Sequence, residues 1–238
     1  MSKLVNIWAI VPAAGIGQRM GTSKPKQYMD INKKPVLAHT LDTICQLPQI
    51  SKVVIPLHPE DHYWHELMHL PYNNFVTITG GTARQDSVLN ALAYLENKAN
   101  PQDFILVHDA VRPCVSVANM SELLAQIISH PVGGLWGVPV RDTLKQVDAA
   151  GQVMHTVSRE HLWQAQTPQI FRFELLYLAL KKAKHDNINL TDEASAIEYL
   201  GYHPKMVQGS YANIKITWPE DLISASLWFK QLENRACE

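Results

Sequence analysis

Two hydrophobic rhythms alternate along this chain. Residues 5–11 form a short, nearly unbroken apolar run and read as a buried strand. Residues 35–47 carry apolar side chains at 36, 37, 41, 44 and 47, the stripe of a helix with one buried face. A second strand is predicted at 52–57, then a helix at 59–70 ended by Pro71. A third strand at 75–79 and a helix at 87–96 follow, then a strand at 104–108, a helix at 121–128 and a strand at 135–140. After an irregular stretch come helices at 172–183 and 192–200, short strands near 204–208 and 214–217, and a closing helix from Pro219. Strand and helix taking turns in this way predict an α/β fold, a mainly parallel twisted sheet with helices on both faces. No internal repeat or low-complexity linker divides the chain, so residues 1–238 are expected to form one domain.

Residues 141–160, RDTLKQVDAAGQVMHTVSRE, break the rhythm. They are polar, with two β-prone halves around Asp148 and Gly151, and read as a hairpin. Such a segment is either a solvated excursion or an arm packed on another subunit. Two isolated strands are marginal in water, which favours the arm.

Composition narrows the class of protein. The formal net charge of −1 gives no global field to recruit nucleic acid or an anionic membrane, so any basic site is local. The apolar run before Pro12 is too short for a membrane span and lacks the layout of a signal peptide. Cys45, Cys114 and Cys237 are far apart and form no zinc or redox spacing. A reduced, cytoplasmic protein is expected.

In open parallel sheets, ligands bind beyond the carboxyl ends of the strands. The unusual residues fall there: PAAGIGQRMGTSKPKQ, GGTARQDS, HDAVRP and VRDT each follow a predicted strand. In the first loop a dinucleotide fingerprint would need a third glycine at position 20, which is Met20, and no GK[ST] is present. The physics of such loops remains. Ala13, Ala14, Gly15 and Gly17 let backbone N–H groups approach a phosphate, while Arg19, Lys24 and Lys26 add charge that suits a triphosphate. A rival site is HELMH at 65–69, a literal HExxH in which His65 and His69 would bind zinc and Glu66 would act as base. Pro71 closes the segment at once, no third ligand motif follows, and the chain has 11 histidines, so a wet surface helix is the better expectation.

From residue 12 to 217 the chain carries, in order, PAAGIGQRM, PKQY, GGTARQDSV, VHDAVRP, PVRDT, TPQIF, TDEAS and NIKIT. This series resembles the cytidylyltransferases that activate 2-C-methyl-D-erythritol 4-phosphate. The one visible departure is Val111, where the family pattern has alanine. The resemblance implies a Rossmann-like nucleotidyltransferase that joins CTP to a sugar-alcohol phosphate and releases pyrophosphate. It implies Arg19 and Lys26 on the triphosphate and Lys215 on the α-phosphate. It implies a nucleotide site of Ala13, Ala14, Gly15, Gly17, Gly81 and Ser87, with Asp109 touching ribose or substrate hydroxyls or lying near Mg²⁺. No direct protein ligand to magnesium is expected, because Mg²⁺ on phosphates keeps most of its waters. By the same resemblance the methylerythritol phosphate meets Arg112, Thr143, Arg159, Thr167 and Thr191. The 141–160 arm would then cross to a second subunit and share the site across a homodimer. A sister enzyme using ribitol phosphate, or a binding module without catalysis, remains as an alternative.

Overall fold

The computed structural model describes residues 6–16, 24–67 and 70–236. Its core is a seven-stranded sheet. The strands are β1 (Ile7–Ile10), β4 (Ile50–Leu57), β5 (Phe75–Thr79), β6 (Phe104–Val107), β7 (Gly133–Pro139), β10 (Trp163–Arg172) and β11 (Lys205–Gln208), in the order β11-β7-β10-β6-β1-β4-β5. Two-residue strands β2 (Asp30–Ile31) and β3 (Lys34–Pro35) pair beside it, and β8 (Leu144–Val147) pairs with β9 (Val153–Val157) in a separate hairpin.

The central strands are covered on both faces, so they read as continuous apolar runs rather than as an alternation. Ala9, Val53, Ile55, Phe104 and Leu106 point to one side. There they pack with Leu37 and Leu41 of α1 (Val36–Cys45) and with Met120, Leu123 and Ile127 of α3 (Val117–Ile127). Ile10, Val54, Ile105 and Val107 point to the other. Their partners are Val88 and Leu92 of α2 (Arg84–Leu95), Leu176 and Leu180 of α4 (Phe173–His185) and Ile197 of α5 (Glu193–Tyr199). The last helix, α6 (Pro219–Ala236), closes a smaller cluster in which Val111 packs with Ile216 and Ala225. Val111 is thus buried among apolar neighbours.

Three expectations are corrected. Residues 163–172, which the periodicity leaves irregular, form β10, and it runs antiparallel to both β6 and β7. Pro168 hides it, since proline lacks a ladder donor and argues against a central strand. Its pairing with β7 is interrupted between Ala165 and Gln169, so Gln166 and Thr167 leave the ladder. Residues 214–217 are not a strand; Ile216 N–H donates to the Val111 carbonyl at 2.9 Å in a single tether. The expected helix at 59–70 is only a 3-10 turn, Trp64–Leu67, with Met68 and His69 outside the described residues.

The 141–160 hairpin is present. Asp148 turns it, its carboxylate accepting from the N–H groups of Ala150 and Gln152, and Gly151 takes φ +80°. Its strands pair only with each other and expose Val147, Val153 and Met154.

Candidate active site

Strands β6, β1, β4 and β5 lie in that order in the sheet, and the loops leaving β6, β1 and β5 line a cavity of about 300 Å³. Ala13, Ala14, Gly15, Gly81, Ser87 and Asp109 line it, with Lys26 and Lys215 at its wall. Gly17 and Arg19 lie outside the described residues.

The loops are braced from beneath. Gln27, almost fully buried, donates from Nε2 to the carbonyls of Ala13 at 2.8 Å and Gly15 at 2.9 Å. A side chain that holds these carbonyls fixes the peptide planes of the loop. Gln27 carries no local signal in the sequence beyond its place inside PKQY. The loops after β1 and β5 touch: a Cβ on Gly80 would lie 2.5 Å from the Ala14 Cβ, and one on Gly81 would lie 2.2 Å from the Asp86 Cβ. Only glycine fits at either place. The Ser87 hydroxyl accepts from Gly81 N–H at 3.0 Å and donates to the Ala83 carbonyl at 3.2 Å, so it shapes this loop as well as lining the cavity. Lys26 Nζ donates to the carbonyl of Ile216 at 3.0 Å, which brings it next to the segment that carries Lys215.

Asp109 is the electrostatic centre. Its Oδ1 accepts from Arg84 Nε at 2.9 Å, and its Oδ2 lies 2.9 Å from Lys215 Nζ and 3.4 Å from Arg112 Nε. Burial alone would raise its pKa, but Arg84, Lys215 and Arg112 outweigh that and hold the carboxyl far below the usual range. It does not cap the next helix, because α3 is capped by Ser116. Arg84 is itself gripped by Glu193, Nη1 to Oε1 at 2.6 Å and Nη2 to Oε2 at 3.0 Å. Burial lowers the Arg84 pKa, yet the Glu193 and Asp109 carboxylates together raise it. Neither Arg84 nor Glu193 stands out in the sequence, although both sit inside motifs already noted, GGTARQDSV and TDEAS.

Asp109, Arg84 and Lys215 also form one wall of a second cavity, of about 230 Å³. Arg112, Thr167 and Thr191 line it. The reversed direction of β10 explains Thr167, since it sets the start of TPQIF beside the carboxyl end of β6. Thr191 is not the cap of α5; Asp192 is, accepting from Ser195 N–H at 2.9 Å. Two expected residues do not reach this cavity within one chain. Thr143 and Arg159 are exposed on the hairpin, where Arg159 donates to the Arg141 carbonyl.

Beneath the wall lies His108, fully buried. Burial lowers its pKa from 6.5 to about 4, so the ring is neutral. Between these values the unfolded chain binds a proton that the folded chain excludes, and stability falls as pH falls. The loss is about 3 kcal/mol across the window. His39, lowered likewise by burial, acts in the same direction. Urea midpoints near pH 7.5 and pH 5 check this; equal midpoints would contradict it.

The HELMH segment does other work. Glu66 pairs with Lys24 at 2.9 Å, and Asp61 accepts from the Tyr28 hydroxyl at 2.8 Å. Glu66 of the motif and Asp61 just before it therefore clasp the strip that carries Lys26 and Gln27. Among the described residues, no group of three or more His, Cys, Asp or Glu could hold a metal.

The geometry has close counterparts. The family model for IspD, 2-C-methyl-D-erythritol 4-phosphate cytidylyltransferase, matches residues 7–231. The enzyme of that name from Hahella chejuensis is 45% identical over 226 residues, covering 95% of this chain and 94% of the relative. That from Shewanella frigidimarina is also 45% identical over 226 residues, covering 95% and 97%. The crystal structure of the Francisella tularensis enzyme superposes with a TM-score of 0.82 at 35% identity, covering 94% of this chain and 99% of that one. A model match that spans the whole sheet, and relatives alike over nearly their full length, place this chain in the 2-C-methyl-D-erythritol 4-phosphate cytidylyltransferase family.

Proposed function

We propose that the larger cavity takes CTP, that the smaller takes the polyol phosphate, and that Lys215 stands where the two react. The chain transfers CMP from CTP to 2-C-methyl-D-erythritol 4-phosphate, the reaction of its family. One observation carries the assignment of sites: the two cavities share Asp109, Arg84 and Lys215 as a common wall. An acceptor phosphate on one side and the α-phosphate of CTP on the other meet across it.

An oxygen of the acceptor phosphate attacks the α-phosphorus, and the bond from that phosphorus to the bridging oxygen of pyrophosphate breaks on the far side. A phosphate monoester has its second pKa near about 6, so the dianion needs no general base at neutral pH. Catalysis is then alignment and charge neutralisation. Lys215 neutralises the α-phosphate as it becomes pentavalent, and Lys26, with Arg19, holds the β- and γ-phosphates. The small-residue loops at Ala13, Ala14 and Gly81 read the cytosine edge with backbone groups.

Magnesium would enter with CTP. Both Asp109 oxygens are occupied by cationic side chains, and among the described residues no group of three or more His, Cys, Asp or Glu could hold a metal, which supports an ion held mainly by the CTP phosphates. The exposed apolar residues of the hairpin, Val147, Val153 and Met154, support a homodimer in which Thr143 and Arg159 complete the partner's acceptor cavity. A cytoplasmic location fits two free cysteines, Cys45 and Cys114, whose thiols burial pushes up to about 12. Among the described residues no helix is long and apolar enough to cross a membrane.

Pyrophosphate release with Mg²⁺ and CTP, measured with methylerythritol 4-phosphate, ribitol 5-phosphate or no acceptor, tests this reading. Release with the first alone is expected. Release with ribitol phosphate alone would keep the CTP site and move the acceptor. Under the same assay His65→Ala keeps wild-type turnover, and a collapse would revive the zinc reading.

A further inference from the structure

His108 takes no part in the chemistry just described, yet it is buried and fully hydrogen-bonded beside the acceptor cavity. Its Nε2 lies 3.0 Å from the Arg112 carbonyl, and its Nδ1 lies 3.1 Å from Thr167 Oγ1. A carbonyl oxygen only accepts, so Nε2 carries a proton, and in the neutral ring Nδ1 is then bare. The Thr167 hydroxyl must then donate to Nδ1. Its oxygen already accepts from Asp109 N–H at 3.0 Å. A hydroxyl has one proton and two lone pairs. With the proton and one pair committed, Thr167 keeps a single lone pair.

We propose that His108 is a positioning residue that makes the Thr167 hydroxyl an acceptor only, so that Thr167 takes a hydroxyl of the polyol phosphate and never its phosphate. The inference rests on the second cavity being the acceptor site. A phosphate dianion carries no proton to donate, so at Thr167 it would face a lone pair and be repelled. A polyol hydroxyl donates and is held. The same chain of bonds fixes the backbone on either side of Asp109, through its N–H at one end and the Arg112 carbonyl at the other. The acceptor therefore lies with its hydroxyls toward β10 and its phosphate toward Lys215 and the CTP side.

Two measurements test it. Long-range ¹⁵N–¹H NMR of the His108 ring should show the neutral Nε2–H form between about pH 8 and about pH 6. A neutral Nδ1–H ring overturns the proposal without reference to activity. The second measurement compares Thr167→Val with wild type on methylerythritol 4-phosphate and on its single-deoxy analogues. The variant should raise KM for the full acceptor roughly five- to ten-fold and leave KM for CTP unchanged. For one deoxy analogue, the one lacking the hydroxyl held by Thr167, variant and wild type should have equal kcat/KM. The same loss on every analogue overturns the proposal while leaving the acceptor site in place. No turnover of any polyol phosphate by the wild type overturns the acceptor-site reading, and the proposal with it. His108→Asn keeps an acceptor oxygen toward Thr167 and should preserve the discrimination among analogues. His108→Leu should lose it where the variant folds, and retained discrimination in that variant would overturn the role given to His108.

Discussion

Lys215→Ala lowers kcat by about 10²- to 10³-fold, with KM for both substrates nearly unchanged and the fold intact. Lys215 stands on the wall common to both cavities, where the proposed transfer would develop charge. Its ammonium lies 2.9 Å from Asp109, and 41% of the side chain is exposed. That exposure means folding does not depend on it. Asp109 keeps Arg84 and Arg112 when the lysine is removed, so the ground-state site stays neutralised. The loss is felt only as the α-phosphorus gains its fifth oxygen, which is why kcat falls and not binding. Lys215→Arg should rescue poorly, because a planar fork does not put its charge where a compact ammonium does. Single-turnover pyrophosphate release, with circular dichroism as the folding control, checks this. Near wild-type kcat in the alanine variant would remove Lys215 from the chemistry.

Glu193→Ala acts through stability. The Arg84–Glu193 pair is bidentate, with the Glu193 side chain 1% exposed and Arg84 30%. Removing one member of a buried pair strands the other, at about 3–5 kcal/mol. Partial exposure of Arg84 and its remaining bond to Asp109 place this case at the low end, about 3 kcal/mol, since water and one carboxylate still serve the guanidinium. For a chain of this size that is roughly 6–12 °C in Tm. Activity falls as well, because Arg84 loses the anchor that aims it at Asp109. Glu193→Gln keeps an acceptor and should recover part of the stability. Thermal unfolding of the three proteins decides; an alanine variant melting within about 1 °C of wild type would mean the pair is energetically idle.

Much of this architecture is legible before any tertiary information. Residues 5–11, 52–57 and 104–108 announce strands because both sheet faces are covered there and the chain is almost wholly apolar, while 75–79, a half-exposed edge strand, shows itself by alternation of apolar residues with threonine. The loops that follow them carry the small and cationic residues of the larger cavity, and Lys26, Lys215, Ala13, Ala14, Gly15, Gly81 and Asp109 all line it. Arg112, Thr167 and Thr191 line the smaller one. Other features are not legible. β10 is hidden by Pro168. The HExxH pattern suggests a helix, but among the described residues the segment between Pro59 and Pro71 forms only a 3-10 turn at Trp64–Leu67. Glu193 looks like a first-turn acid of α5, a place where carboxylates are favoured for the helix dipole alone, so nothing local marks it as the partner of Arg84.

By itself, the sequence determined the alternation of strand and helix, the edge of the sheet where the two cavities lie, and most of the groups that line them. These follow from local rules: the side-chain period of each element, and the small residues a loop needs if its backbone is to approach a phosphate. The tertiary structure alone decided the partners. It turned β10 against its neighbours, so Thr167 stands beside His108 and Asp109. It joined Arg84 to Glu193 across 109 residues of chain and Lys26 to Ile216 across 190. A carboxylate buried at a strand end must find cations wherever the fold delivers them, and which cations arrive depends on distances in space that no local pattern encodes.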